Sequence, residues 1–444
     1  LVGRGDLTAD ECDAAFADFR ARLDRAFEET HEPHATGIDP DAEPLDVNES
    51  AEPADPVATA VDRSVLDRVV AGLTAWPDTF HVHPKLERIL VAQRDAYHAG
   101  TVEWPLAESL AFGSLVLEGT PVRVAGQDTR RGTFSQRHGV LVDAVDEAEY
   151  VPLQHLAPDQ APFRLYDTVL SEYAALGFEY GYSVAAPETF TAWEAQFGDF
   201  MNAAQVTIDE FVVAAEDKWG QRSGLTMLLP HGFEGQGPDH SSARIERFLV
   251  LCADDNLRVV YPSTAAQYFH VLRRQVRAAR RVPLVCFTPK RYLRMQQARS
   301  PVELLTRDTF HRVLDDRATD LDPATVRRVL LCTGKLGHEL MDARDQAGTP
   351  VAVVRLEQLY PWPEPEIRAV LARYPKESQL WWVQEEPANM GAWTFVDGAL
   401  RRSLGDTRRW DHIARHASAS PATGSAKVHE REQQAVVGAA VGGA

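Results

Sequence analysis

Residues Pro230 to His240 read Pro-His-Gly-Phe-Glu-Gly-Gln-Gly-Pro-Asp-His and follow the apolar run Leu225–Leu229. His231 and His240 stand nine residues apart, with Glu234 and Asp239 between them. Imidazoles gain and lose protons near neutral pH, so such a pair beside carboxylates suits general acid–base work. Glycines at 232, 235 and 237 open backbone conformations closed to other residues and let the chain approach a ligand closely. An apolar strand that ends in this kind of loop is the pattern of a strand-end active site. The alternative is a structural turn whose histidines are satisfied internally. The glycine spacing is G-x-x-G-x-G, which is not the G-x-G-x-x-G dinucleotide fingerprint.

Elements of a particular kind are needed to hold such a loop, and the chain supplies them. Strand-like segments at Pro121–Ala125, Leu225–Leu229, Leu257–Pro262 and Pro283–Pro289 alternate with helical ones, including Leu106–Glu118. This alternation predicts an α/β fold with a parallel sheet flanked by helices and ligand chemistry at the strand carboxyl ends. A second α/β unit has strands at Arg328–Cys332, Val351–Arg355 and Leu380–Val383. Toward the N-terminus, a helix is expected over residues 7–29, with Thr8 as N-cap and Glu11 at the capping-box spacing. Another helix is expected near 63–74, followed by a strand-like Phe80–His83. The tail beyond about 420 turns polar and then rich in Gly and Ala, and is expected to be loosely held. The domain reading is therefore 1–85, 86–300 and 301–444.

Composition narrows the function classes. With 444 residues, 44% hydrophobic and 25% charged, the chain has the balance of a soluble globular protein with room for two or three domains. No apolar run reaches the ~18 residues of a membrane span. The chain starts at Leu1 without a signal-peptide pattern, which suggests a fragment, a processed product or one part of a longer polypeptide. Cys12, Cys252, Cys286 and Cys332 lie far apart and read as reduced thiols in the cytoplasm, not as metal ligands. Net charge is −19, yet ten acidic residues, five prolines and no Lys or Arg fall between Phe27 and Pro56. That segment reads as a linker or solvent-exposed crossing unable to fold alone. An acidic balance argues against nucleic acid as a partner.

Several motifs jointly resemble one family: Glu108-Ser-Leu-Ala-Phe-Gly-Ser114, Gly126-Gln-Asp-Thr-Arg-Arg-Gly132 continuing to His138, Leu170-Ser-Glu172, Trp193 to Phe200, Pro230 to Arg244, and Gln384-Glu-Glu-Pro-Ala-Asn389. They resemble the C-terminal half of the thiamin-diphosphate-dependent first component of 2-oxoglutarate dehydrogenase, of actinobacterial type. The resemblance implies a transketolase-like pyrimidine-binding domain followed by a smaller α/β C-terminal domain. It also implies that the diphosphate-binding half, which binds Mg2+, lies elsewhere; no G-D-G…N motif occurs here, and no metal ligand is assigned to this chain. The implied reaction is oxidative decarboxylation of 2-oxoglutarate in the tricarboxylic acid cycle. A homodimer would pass succinyl to a lipoyl domain of the succinyltransferase component. A β-subunit-like chain of a two-chain 2-oxo acid dehydrogenase and a 2-oxoadipate-type homologue stay open as alternatives.

The resemblance also assigns residues. Glu172 matches the glutamate that hydrogen-bonds the aminopyrimidine ring and activates the cofactor; enclosure in an apolar pocket would raise its pKa. Phe197 and Phe200 stand where aromatic rings pack on the pyrimidine. His240 matches the histidine that reaches substrate. His231 either contacts the cofactor or holds the loop, while Glu234 and Asp239 orient it. Gln136, Arg137 and His138 line an entry path or satisfy a strand end, and Glu108 joins a carboxylate relay or is an ordinary helix residue. Residues 272–281 carry five arginines, a pattern usual for a solvated face or an interface. Among them Arg274 is the candidate phosphate contact for acetyl-CoA, an allosteric activator of actinobacterial relatives.

Overall fold

The computed structural model describes residues 1–31, 57–318 and 321–442. The acidic segment falls mostly outside those residues. Contacts divide the chain into Leu1–Glu49 and Ser50–Ala444. In the first unit, the helix Ala9–His31 begins at the expected capping box: Thr8 N donates to Glu11 Oε2 at 2.8 Å and Glu11 N donates to Thr8 Oγ at 3.2 Å.

In the second unit a seven-stranded sheet runs in the order Gln358–Tyr360, Arg258–Val260, Leu284–Thr288, Thr226–Pro230, Phe190–Glu194, Val122–Gly126 and Phe163–Asp167. All neighbours are parallel except Gln358–Tyr360, which joins as an antiparallel edge. Both faces of the sheet's centre are covered, so strands such as Thr226–Pro230 and Leu284–Thr288 are buried at every position and not alternately. Met227 and Leu229 enter one core while Leu228 enters the other, and Val285 and Phe287 divide from Cys286 in the same way.

One face packs on the helices Trp104–Leu117 and Ala265–Arg277. The first of these is apolar almost throughout and buried from Trp104 to Val116 except at Ser109, as a helix surrounded by protein must be. Gly113 is required there, because a Cβ would stand 2.5 Å from a Val69 methyl. The other face shares its core with a five-stranded sheet ordered Val313–Leu314, Val351–Leu356, Arg328–Cys332, Gln379–Pro387 and Trp410–Arg415. Trp382, Leu331 and Val354 from that sheet belong to one core with Met227, Val259 and Phe287 from the first.

Three expectations change. Phe80–His83 forms no strand; it leads into the helix Pro84–His98, whose N-terminus His83 caps by accepting from Lys85 N at 3.2 Å. The tail is a helix, Ala426–Val441, capped by Ser425 and packed through Val436 and Ala440 on Leu336, Leu340 and Met341. Its Ala and Gly residues permit close packing, and the i,i+4 pair supplies the apolar stripe. The arginine-rich helix is no solvated face at its centre, since Arg273 and Arg274 are both buried. Arg273 donates to Thr59 O and Ser114 Oγ, each at 2.8 Å, and ion-pairs with Glu118 at 3.0 Å.

Candidate active site

Parallel strands point their carboxyl ends to one edge, and the predicted residues follow those ends. Glu172 comes after Phe163–Asp167, Phe197 and Phe200 after Phe190–Glu194, and the histidine loop after Thr226–Pro230. Lys290, which the sequence reading passed over, comes after Leu284–Thr288.

His231 is fully buried. Its Nδ1 accepts from Ala243 N at 2.9 Å, and its Nε2 lies 2.7 Å from Glu386 Oε1. Both ring nitrogens are thus engaged by protein, the geometry of a residue that holds the loop. The glycines at 232, 235 and 237 have φ of 143°, 73° and 88°, which other residues rarely adopt. Glu234 accepts from Arg291 N at 2.9 Å, tying the loop to the next strand's exit. Asp239 is exposed in the turn Pro238–His240.

His240 closes that turn, with its ring edge-to-face on Phe197 at 4.4 Å and Phe200 at 5.9 Å. Phe134 also packs edge-to-face with Phe197, at 5.5 Å. Gly198 lets the two loops meet, since a Cβ there would lie 2.3 Å from that of Ala243. The His240 carbonyl accepts from Lys290 Nζ. Burial pushes the Lys290 ammonium down to about 8, although Glu234 and Glu385 pull the other way. Burial likewise raises the Glu234 carboxyl against the pull of Lys290 and Lys335.

Glu172 opens the helix Glu172–Ala185, which Ser171 caps by accepting from Ala174 N at 3.3 Å. Gln127 Nε2 donates to Glu172 Oε1 at 2.9 Å, and Gln196 Nε2 donates to Asp128 Oδ2 at 2.9 Å. These bonds connect Glu172 to the loop that carries Phe197. Glu172 itself is half-exposed in this chain and not enclosed in an apolar pocket. Around it Val169, Leu170, Tyr173 and Phe178 are exposed by 69%, 87%, 54% and 62%.

Below the rim lies a buried charge network. Arg137 donates to Glu108 Oε1 at 2.6 Å, to Glu194 Oε1 at 2.9 Å and to the Thr129 carbonyl at 2.9 Å. Tyr268 Oη donates to Glu108 Oε2 at 2.7 Å. Burial alone would lower the Arg137 guanidinium, but the two carboxylates hold it well above its ordinary range. Gln136 bonds locally, accepting from Phe134 N at 2.9 Å, and burial lowers the His138 imidazole. Arg274 lies away from this rim: it donates to Gln358 Oε1 at 2.7 Å and stands over the Phe310 ring at 5.2 Å. Among the described residues, no group of three or more His, Cys, Asp or Glu could hold a metal ion, and no helix is long and apolar enough to cross a membrane.

Fold and rim together define an α/β protein with a polar and aromatic site at the carboxyl edge of a parallel sheet. Residues 100–296 match the transketolase pyrimidine-binding domain, and residues 299–441 match the 2-oxoglutarate dehydrogenase C-terminal domain. The chain is 47% identical over 395 residues to a 2-oxoglutarate dehydrogenase E1 component of Cupriavidus necator, covering 87% of this chain and 41% of that protein. It is 44% identical over 448 residues to a multifunctional 2-oxoglutarate metabolism enzyme of Mycobacterium sp. (strain JLS), covering 98% and 35%. A protein with the same description from Mycolicibacterium vanbaalenii is 43% identical over 453 residues, covering 100% and 36%. Residues 100–296 and 299–441 therefore form a transketolase pyrimidine-binding domain and a 2-oxoglutarate dehydrogenase C-terminal domain, and the chain spans well under half the length of these relatives.

Two outcomes follow from the buried charges. Arg137→Met strands two buried carboxylates and should cost about 3–5 kcal/mol in urea unfolding; adding Glu108→Gln and Glu194→Gln should recover part of the loss. The Lys290 pKa of about 8 lies below the ordinary 10.5, so between those values the unfolded chain holds a proton that the native state has released. Stability from this group therefore rises with pH across that window. In Lys290→Met the rise should be absent, and an unchanged slope of unfolding free energy against pH would contradict the assignment.

Proposed function

We propose that this chain supplies the pyrimidine-binding side of a thiamin diphosphate site in an enzyme that oxidatively decarboxylates 2-oxoglutarate and passes the succinyl group to a lipoyl domain. The carrying observation is a half-exposed carboxylate, Glu172, set in an exposed apolar patch on the same rim as Phe197, Phe200 and His240. Those residue types fit the cofactor: aromatic rings suit a flat heterocycle, and a carboxyl suits its ring nitrogen. Thiamin diphosphate, when bound, supplies the electron sink for loss of carbon dioxide from a 2-oxo acid.

This chain's residues perform the positioning and proton work. Glu172 hydrogen-bonds the pyrimidine ring and holds a proton there, with Gln127 steering its carboxyl. A partner surface over Val169, Leu170, Tyr173 and Phe178 dries that carboxyl. Phe197 and Phe200 exclude water from the ring. His240, braced on both, donates to the substrate carboxylate or to the charge that develops beside it. The covering surface is the diphosphate-binding half, which takes Mg2+, within a cytoplasmic homodimer. Allosteric control by acetyl-CoA through Arg274 would require its guanidinium to leave Gln358.

In the complete enzyme, Glu172→Gln should lower 2-oxoglutarate decarboxylation by about a hundredfold or more while circular dichroism stays unchanged. Near-normal turnover would refute the assignment. His240→Ala should reduce kcat much more than it weakens thiamin diphosphate binding, and the reverse pattern would exclude a substrate-facing role.

A further inference from the structure

We infer that Glu386 is a positioning residue for the active-site loop: it fixes the proton of His231 on Nε2 and thereby sets the placement of His240. The inference rests on the reading of His240 as substrate-facing.

The ring geometry carries the first step. Ala243 N–H points at His231 Nδ1 from 2.9 Å, so Nδ1 must offer a lone pair. A neutral imidazole then carries its proton on Nε2, where Glu386 Oε1 waits at 2.7 Å. The opposite tautomer would set two N–H groups against each other and leave Glu386 without a donor. Neither error is cheap at a site with no solvent exposure, because an unmatched buried polar group keeps its full desolvation cost. Burial raises the Glu386 carboxyl, but the hydrogen bond from His231 opposes it and the carboxyl stands below its ordinary range.

Loop topology carries the second step. His231 begins the loop and Ala243 ends it, so the bond between them is a clasp around His240. Gly232 N donates to Ser241 O at 3.0 Å inside the clasp, and Ser241 Oγ donates to Gly237 O at 2.7 Å. With both ends closed, the position of His240 follows from the orientation of one imidazole. The carboxylate that sets it arrives from the strand Gln379–Pro387 of the other sheet, 155 residues along the chain. Its neighbour Glu385 accepts from Phe233 N at 3.1 Å and pairs with Lys335 at 2.6 Å, which keeps the strand end in register with the loop. A group oriented by a second, and that by a third, is how buried carboxylates commonly act on histidine-bearing sites.

The test uses the complete enzyme. Glu386→Ala should lower kcat with 2-oxoglutarate by roughly tenfold to a hundredfold, the scale of a lost bond to a charged group, with thiamin diphosphate affinity nearly unchanged. Glu386→Gln, whose amide oxygen can accept the same proton, should recover most of that loss. In a double-mutant cycle, adding Glu386→Ala to His240→Ala should cost almost nothing more, because both remove the same placement. Losses that multiply, or no recovery by Gln, would overturn the inference while leaving the active-site reading intact. If His240→Ala by itself leaves turnover unchanged, the active-site reading fails and this inference falls with it. Should Glu386→Ala not fold, 15N NMR of ring-labelled histidine in the unmodified enzyme decides the matter. A His231 proton on Nε2 is expected, and one on Nδ1 overturns the proposal.

Discussion

A parallel sheet buried on both faces leaves its polar chemistry one place to go. Strands such as Thr226–Pro230 and Leu284–Thr288 are buried at every position and carry apolar side chains to both sides. Crossover connections return each strand in the same direction, so the carboxyl ends share one edge. Glu172, Phe197, His240 and Lys290 stand together on that edge for this reason, although they span more than a hundred positions of sequence.

Gathering charge at a buried edge creates a second requirement, which is pairing. Arg137 meets two carboxylates, Lys335 pairs with Glu385 at 2.6 Å and Glu339 at 2.8 Å, and Arg244 reaches Asp199 at 2.5 Å. Each ion left alone at such depth would cost several kcal/mol, which makes the pairs obligatory once the side chains are buried. Lys290 is the contrasting case. Its ammonium donates to a neutral carbonyl, and burial outweighs the more distant carboxylates, so its proton is held loosely. The rim therefore combines paired ions with one buried ammonium, Lys290, that burial pushes down to about 8.

Local pattern made much of this legible. Alternating apolar runs located the strands, the Thr8–Glu11 spacing located a helix start, and the glycine-rich loop marked the strand-end site. Misreadings arose where long-range packing overrode composition. The Gly- and Ala-rich tail looked loose, but Val436 and Ala440 find an apolar partner surface on the helix Leu336–Ala347. The arginine run suggested a solvated face or an interface, yet Arg273 and Arg274 are buried, with Glu118 and Gln358 as partners. Lys290 and Glu386 had no local signature of function, since each acts on a group presented by a different element. A carboxylate pair at the end of the apolar strand Leu380–Val383 was the available clue: buried acids at a strand end must have partners.

The dependence of the loop on a distant strand also explains how three glycines can coexist with a defined geometry. Glycine at 232, 235 and 237 removes the steric walls that would otherwise choose a conformation, so the loop has little intrinsic preference. Order must then be imposed by contacts from outside the loop. Thr288 O receives the His231 amide, Glu385 receives that of Phe233, Glu234 receives that of Arg291, and Glu386 sits at the imidazole. Two of these four come from the second sheet, whose core is continuous with the first. Conformational freedom in the loop allows close approach to a ligand, and the second sheet removes that freedom at the loop's start. On this account the two sheets are coupled through the candidate site as well as through the core, and the strand Gln379–Pro387 is part of that site's scaffold.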